Sequence, residues 1–318
     1  MHPVNRTSAN SSSRSLAIVW LTGIAAVMLS ACASVPDCSL TALPVSSAEL
    51  TLTHADGRKA RFTLWQPERA GSYPMMVFSH GAYAAPERYD ALLGPLAAMG
   101  FVVAAPLHID SELIATDPPP PPDQVWRTRK EDFARLLEGP PELLEALGRG
   151  VSLSDEKIAA GHSYGAFGAQ VAAGAAAVGD EPGRVEPGVK AVLAFSPPGL
   201  LPGFIEPDAW DQLSRPQLLL TGTSDILPGF IDDWRAHAAA YRQAPAGDQW
   251  LWAGEGVDHY FGNVFGRLDR EAPDQRPQFD EALAVSQRFL AAYTAQPLAV
   301  CSDPLSTGST VLASLEKR

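Results

Sequence analysis

The residues best suited to chemistry stand at 161–165, Gly161-His162-Ser163-Tyr164-Gly165. A serine hydroxyl is a weak nucleophile until a base takes its proton, and the base needs a third group to fix its tautomer. The flanks give these five residues their meaning: a strand-like run, 157–160, precedes them and an alanine-rich, helix-like run, 166–178, follows. Between a strand and a helix, Gly-x-Ser-x-Gly forms a turn that lifts the hydroxyl out of the sheet edge. The two glycines permit that turn, because a Cβ at either would collide with the neighbouring strand or helix. Without these flanks the stretch reads equally well as a plain glycine–serine loop.

Two later runs supply the missing partners. Residues 217–225 form an apolar run leading through Gly222-Thr223-Ser224 to Asp225, and residues 249–260 form the next such run, leading to Asp258-His259-Tyr260. The order is nucleophile Ser163, acid Asp225, base His259. The remaining requirement is a pair of fixed donors for the oxyanion of a tetrahedral intermediate. The segment 79–82, Ser79-His80-Gly81-Ala82, follows another strand-like run, so the main-chain amides of Ala82 and Tyr164 are the expected pair. His80 and His162 are then structural, with the His162 side chain directed away from the Ser163 hydroxyl. Asp232 and Asp233 read as first-turn acids of a helix, and Asp258 as too close in sequence to fold back onto His259. His54 lies in an edge hairpin and His237 in mid-helix, which makes both weak rivals as the base, while His108 follows a strand end and could line the pocket.

The elements that must hold these groups are legible in the hydrophobic pattern. Alternating segments at 49–54 and 61–65 flank Asp56-Gly57, a hairpin signal. Short, nearly continuous apolar runs follow at 74–79, 101–105, 157–160, 189–196, 217–221 and 249–252, as expected of strands covered on both faces. Helical patterns lie between them at 86–99, 125–147, 166–178, 231–243 and 278–294, the second broken by Gly139-Pro140-Pro141. The alternation specifies an α/β fold: a mostly parallel twisted sheet, an antiparallel N-terminal hairpin and helices on both faces. Residues 196–210, rich in proline, glycine and apolar side chains, are expected to loop over the site. With Tyr83, Tyr164 and Tyr260, the residues Leu200, Phe204 and Trp210 would line an apolar pocket; the alternative is a loop packed on the core.

The chain has 318 residues, 46% of them hydrophobic, enough for a sizeable core. Its formal charge of −12 offers no basic stripe, so nucleic acid is not an expected partner. No His-x-x-x-His, Cys-x-x-Cys or glycine-rich phosphate loop appears, and neither a metal nor a cofactor is expected. Residues 1–31 read as an export signal: Arg6 and Arg14 precede an apolar run, 16–29, too short to span a membrane comfortably. A tether is expected over 32–47, the folded domain over 48–296, and a poorly ordered tail over 297–318. Cys38 and Cys301 form an even pair for an oxidising compartment, either bonded to each other or both free.

With these features assembled, the chain resembles the α/β-hydrolase superfamily over nearly all of its mature length. The resemblance rests on Phe78-Ser79-His80-Gly81, the 100–106 run Gly-Phe-Val-Val-Ala-Ala-Pro, the 161–165 turn and Gly222-Thr223-Ser224-Asp225. It is nearest to the esterase branch related to platelet-activating-factor acetylhydrolase, dienelactone-hydrolase-like lipoproteins and cutinase-like polyester hydrolases. The family implies a serine esterase acting on a small or medium ester. A dienelactone hydrolase proper would carry cysteine where Ser163 stands. Leu29-Ser30-Ala31-Cys32 likewise resembles a lipobox, implying lipidation of Cys32 and an outer-membrane lipoprotein; the alternative is ordinary cleavage near Ala31 or Ala33. A monomer is expected. Amidase, peptidase or acyltransferase activity on the same residues, and a non-catalytic binding scaffold, remain the alternatives.

Overall fold

The computed structural model of the chain describes residues 42–114, 116–266, 271–295 and 305–318. The export signal, most of the tether, the lipidation candidate Cys32 and the pair Cys38 and Cys301 lie outside the described residues. Among the described residues no helix is long and apolar enough to cross a membrane.

The Asp-Gly signal makes the first hairpin: β1 (Val45–Thr53) pairs antiparallel with β2 (Lys59–Pro67). Gly57 takes φ +85 at the turn, where Asp56 accepts a hydrogen bond from the Arg58 amide. The continuous apolar runs become β3 (Gly71–Ser79), β4 (Val102–Pro106), β5 (Val151–His162), β6 (Val189–Phe195), β7 (Gln217–Gly222) and β8 (Gln249–Gly254). They are parallel and ordered β4-β3-β5-β6-β7-β8, with β2 joined antiparallel to β4. β4, β7 and β8 are buried at every position, which is why these runs show no alternation.

Within β3 the faces still part company. Met76 and Phe78 join the core under α1 (Asp90–Ala98), whereas Met75 and Val77 join the core under α2 (Pro122–Leu137). Gly139, at φ +70, ends α2 before the short α3 (Pro141–Glu145), as the Gly-Pro-Pro stretch requires. The chain goes from β3 to β4 on one side and then to β5 on the other. Such a reversal opens a crevice at the carboxyl ends of the strands.

Three expectations need correction. The helix expected over 166–178 is shorter, α4 (Tyr164–Val171). Its alanine continuation is recruited by a neighbouring segment instead: the Ala176 amide donates to Ala209 O and the Val178 amide to Phe204 O. The pattern at 231–243 resolves into a 3-10 turn, Trp234–Ala238, followed by α5 (Ala239–Gln243). The tail, finally, is not loose where it is described. After α6 (Arg276–Tyr293), the short β9 (Gly308–Ser309) and β10 (Ala313–Lys317) close the sheet, and β10 pairs antiparallel with β8. Ala313 and Leu315 turn inward and Lys317 pairs with Asp248, a short period-two pattern that is present in the sequence.

Candidate active site

Ser163 caps the step from β5 to α4 with φ 54 and ψ −124, a strained conformation for a residue with a side chain. The flanking glycines explain how the chain survives it. A Cβ on Gly161 would lie 2.4 Å from Gly165 O, and one on Gly165 would lie 2.0 Å from Ser79 O. Both obstacles are backbone and cannot swing aside. Gly165→Ala is therefore expected to cost about 3 kcal/mol, at the upper end for an overpacked site. Chemical denaturation would measure it, and an unchanged midpoint would contradict the packing described.

The sheet brings the three expected side chains together. His259 Nε2 lies 3.0 Å from Ser163 Oγ, and His259 Nδ1 lies 2.7 Å from Asp225 Oδ1. Asp225 Oδ2 also accepts from the Thr221 hydroxyl at 2.8 Å. Burial alone would raise the Asp225 carboxyl, but His259 and His237 hold it well below the ordinary carboxylate range. Asp258 has a local role: its carboxylate accepts from the amides of Tyr260 and Gly262 and so shapes the loop that carries His259. Asp233 accepts from the Arg235 amide at the head of the 3-10 turn, and Asp232 from the Gly229 amide.

His237 departs from its expected place in mid-helix. Far from being an idle helical residue, it is fully buried with Nε2 3.0 Å from the same Asp225 oxygen that holds His259. Asp225, His237 and His259 together have the composition of a metal site. Their spacing does not fit one. Two ligands bound at about 2.0–2.1 Å in a tetrahedral shell stand roughly 3.3 Å apart, whereas the nitrogens here lie 2.7 and 3.0 Å from the carboxylate oxygen. The first is a hydrogen-bond distance and the second an ion-pair distance.

Around these groups runs a buried polar frame. His162 Nε2 donates to the His259 carbonyl, so its Nδ1 accepts from the Tyr89 hydroxyl, which in turn accepts from the Gly81 amide. Burial, reinforced by His259, pushes His162 well below its ordinary value and keeps it neutral. His162 thus ties the loop after β3 to the loop after β8. His80 donates from Nδ1 to Gly81 O and accepts the His108 amide at Nε2, which occupies both ring nitrogens.

Arg129, on α2, grips the same loop from behind. It donates to His80 O at 2.8 Å and to Gly81 O at 3.1 Å while paired through two nitrogens with Asp110. With those carbonyls held back, the Ala82 and Tyr164 main-chain N–H groups have no hydrogen-bond partner among the described residues. His108 does not line a pocket. It is buried between Ser79 Oγ, at 2.9 Å, and Asp132, at 3.2 Å, and Asp132 also receives His54 and Arg58. The residue types of Ser79, His108 and Asp132 repeat those of the main site. What separates the two is exposure, since Ser79 is 3% exposed and sits under Arg129, at the wall of a cleft that does not include Ser163.

The loop over 196–210 divides in two. Leu200 is exposed, but Trp210 is fully buried, with its ring N–H donated to Gln170, so it belongs to the core and not to the pocket. Phe204 packs against Trp126, Tyr164 and Phe167. That half of the loop covers α4 and not Ser163, because the bulk of Trp210 finds a better seat against Phe167 than over a polar cleft. Tyr83, 62% exposed, follows the 79–82 loop, and Tyr260 stands edge-on to His259. Ile226 and Phe230, just past Asp225, add exposed apolar surface that the sequence reading did not include. A separate cleft of about 280 Å³, lined by Trp126, Arg129, Tyr164, Asp180 and Arg184, opens beyond Tyr164 and does not include Ser163.

The chlorophyllase family model matches residues 42–179, a stretch containing both the 79–82 loop and Ser163. No curated protein matches the chain. Among solved structures it is similar to a ferulic acid esterase from Streptomyces cinnamoneus, with TM-score 0.54 and 19% identity over 84% of this chain and 94% of that one. It is also similar to a protein from Klebsiella pneumoniae assigned as a dienelactone hydrolase, with TM-score 0.52 and 16% identity over 79% and 98% of the two chains. The fold is that of the α/β-hydrolases.

Proposed function

We propose that the chain is a serine hydrolase that cleaves carboxylic esters through an acyl-enzyme. The observation that carries this reading is the continuous chain from Ser163 Oγ through His259 to Asp225, ending on a serine that is part-exposed at a strained turn. Ser163 attacks the ester carbonyl while His259 Nε2 takes its proton, and the imidazolium that forms is stabilised by Asp225. The Ala82 and Tyr164 amides receive the oxyanion. His259 then gives the proton to the leaving alkoxide, and water repeats the sequence on the acyl group. Esters are chosen over amides as the substrate class, and the exposed apolar side chains of Tyr83 and Leu200, with Tyr260 edge-on to His259, suit an acyl or alcohol portion of modest size. The esterase among the structural neighbours supports the same choice.

A fluorophosphonate probe should label Ser163, located by peptide mass spectrometry, and the protein should hydrolyse p-nitrophenyl esters well above the matching p-nitroanilides. Absence of labelling would leave a binding scaffold as the better reading, whereas faster anilide cleavage would make it an amidase.

A further inference from the structure

His237 faces two acceptors. Its Nδ1 is 2.7 Å from the Pro197 carbonyl oxygen, and its Nε2 is 3.0 Å from Asp225 Oδ1. Neither partner has a proton to give: a carbonyl never does, and Asp225 is held ionised. A neutral imidazole has one N–H and one lone pair. Whichever nitrogen carried the lone pair would aim it at an oxygen, inside a fully buried site. Protonation at both nitrogens removes that conflict. The Asp225 contact is oblique, an electrostatic pairing rather than an aligned hydrogen bond, so charge and not directional bonding is its main content.

We propose that His237 is a buried imidazolium that neutralises Asp225 at the same oxygen that holds His259 and thereby keeps His259 available as a base at lower pH. His237 is a positioning residue, since it reaches the reaction only through Asp225. The titratable groups that face it are Asp225 from the loop after β7, His259 from the loop after β8, with ring centroids 5.4 Å apart, and the neutral His162 at the end of β5. On its own turn, Asp233 and Arg235 are exposed and paired with each other. Burial opposes the charge, but Asp225 and the Pro197 carbonyl outweigh it and raise the His237 imidazole above its ordinary value. The sign of the effect follows from Coulomb's law: a cation beside Asp225 opposes a second cation on His259.

His237→Gln removes the charge and the donor to Pro197 O while leaving an amide that can still donate towards Asp225. The kinetic arm rests on the esterase reading above. The acid limb of kcat/KM for p-nitrophenyl butyrate should move to higher pH by about one unit in the variant. A limb that stays where it was would overturn the proposal. Nitrogen-15 NMR of the wild-type protein at pH 7.5 decides independently of activity and of how the variant folds. His237 should show two protonated ring nitrogens, and a single neutral tautomer would overturn the proposal even in a protein with full esterase activity. If the protein proves to have no hydrolase activity, the NMR result still stands on its own.

Discussion

Ser163→Ala should lower kcat for p-nitrophenyl butyrate by about 10⁶-fold, the loss typical of removing the nucleophile from a triad that works as a unit. The fold should be untouched. Alanine keeps the Cβ, so the strained φ of 54 and ψ of −124 are paid for by the same neighbours as before. Among the described residues the hydroxyl's hydrogen bond is to His259, whose other nitrogen remains held by Asp225. The thermal midpoint should therefore lie close to that of the wild type. Glycine would be a poorer control, since it adopts positive φ without strain and would change stability as well as chemistry. A small residual rate over water is expected from the oxyanion amides and binding alone. Turnover within tenfold of wild type would exclude Ser163 as the nucleophile.

Ser163, Asp225 and His259 could be found in the sequence because each follows a strand, and a strand end is a position that apolar runs and glycines mark. His237 and Arg129 carry no such mark. His237 lies in a segment that reads as an ordinary helix, and only the packing of the 3-10 turn Trp234–Ala238 against the loop after β7 brings it to Asp225. Arg129 did leave a trace: Trp126, Arg129 and Phe133 fall at helical spacing on the buried stripe of α2, where a cation needs a partner. That partner, Asp110, lies on a loop, and nothing local announces it. The stop of α4 at Val171 was illegible for another reason. Alanine favours a helix and masks the stop at Gly174, which takes φ +110, while the alanines beyond it are held by Phe204 and Ala209, distant in sequence. Trp210 fails in the same way, since only the folded arrangement decides whether an apolar loop residue lines a cleft or fills the core.

Asp225→Asn should lower kcat/KM by about 10⁴-fold, and His237 determines why. The two side-chain positions of residue 225 differ in what surrounds them. Oδ2 meets the Thr221 hydroxyl, which can donate or accept, while Oδ1 meets both His259 and His237. An asparagine could keep its oxygen at the Oδ1 position, with Thr221 accepting from its amide, and His259 would then retain the tautomer it needs. That arrangement leaves His237 as a buried cation without a counter-charge, which is strongly unfavourable. The cheaper outcome is loss of the His237 proton, leaving a lone pair on Nε2. The asparagine amide then turns to present its nitrogen between the two imidazoles and donates to both. His259 must accept at Nδ1, which places its proton on Nε2, facing Ser163, where it cannot act as a base. The loss should thus exceed what removal of one negative charge alone would cause. Steady-state kinetics of Asp225→Asn separates the two arrangements: a loss below about 100-fold would mean that the asparagine oxygen stays between the histidines, and that His237 does not impose its charge on the site.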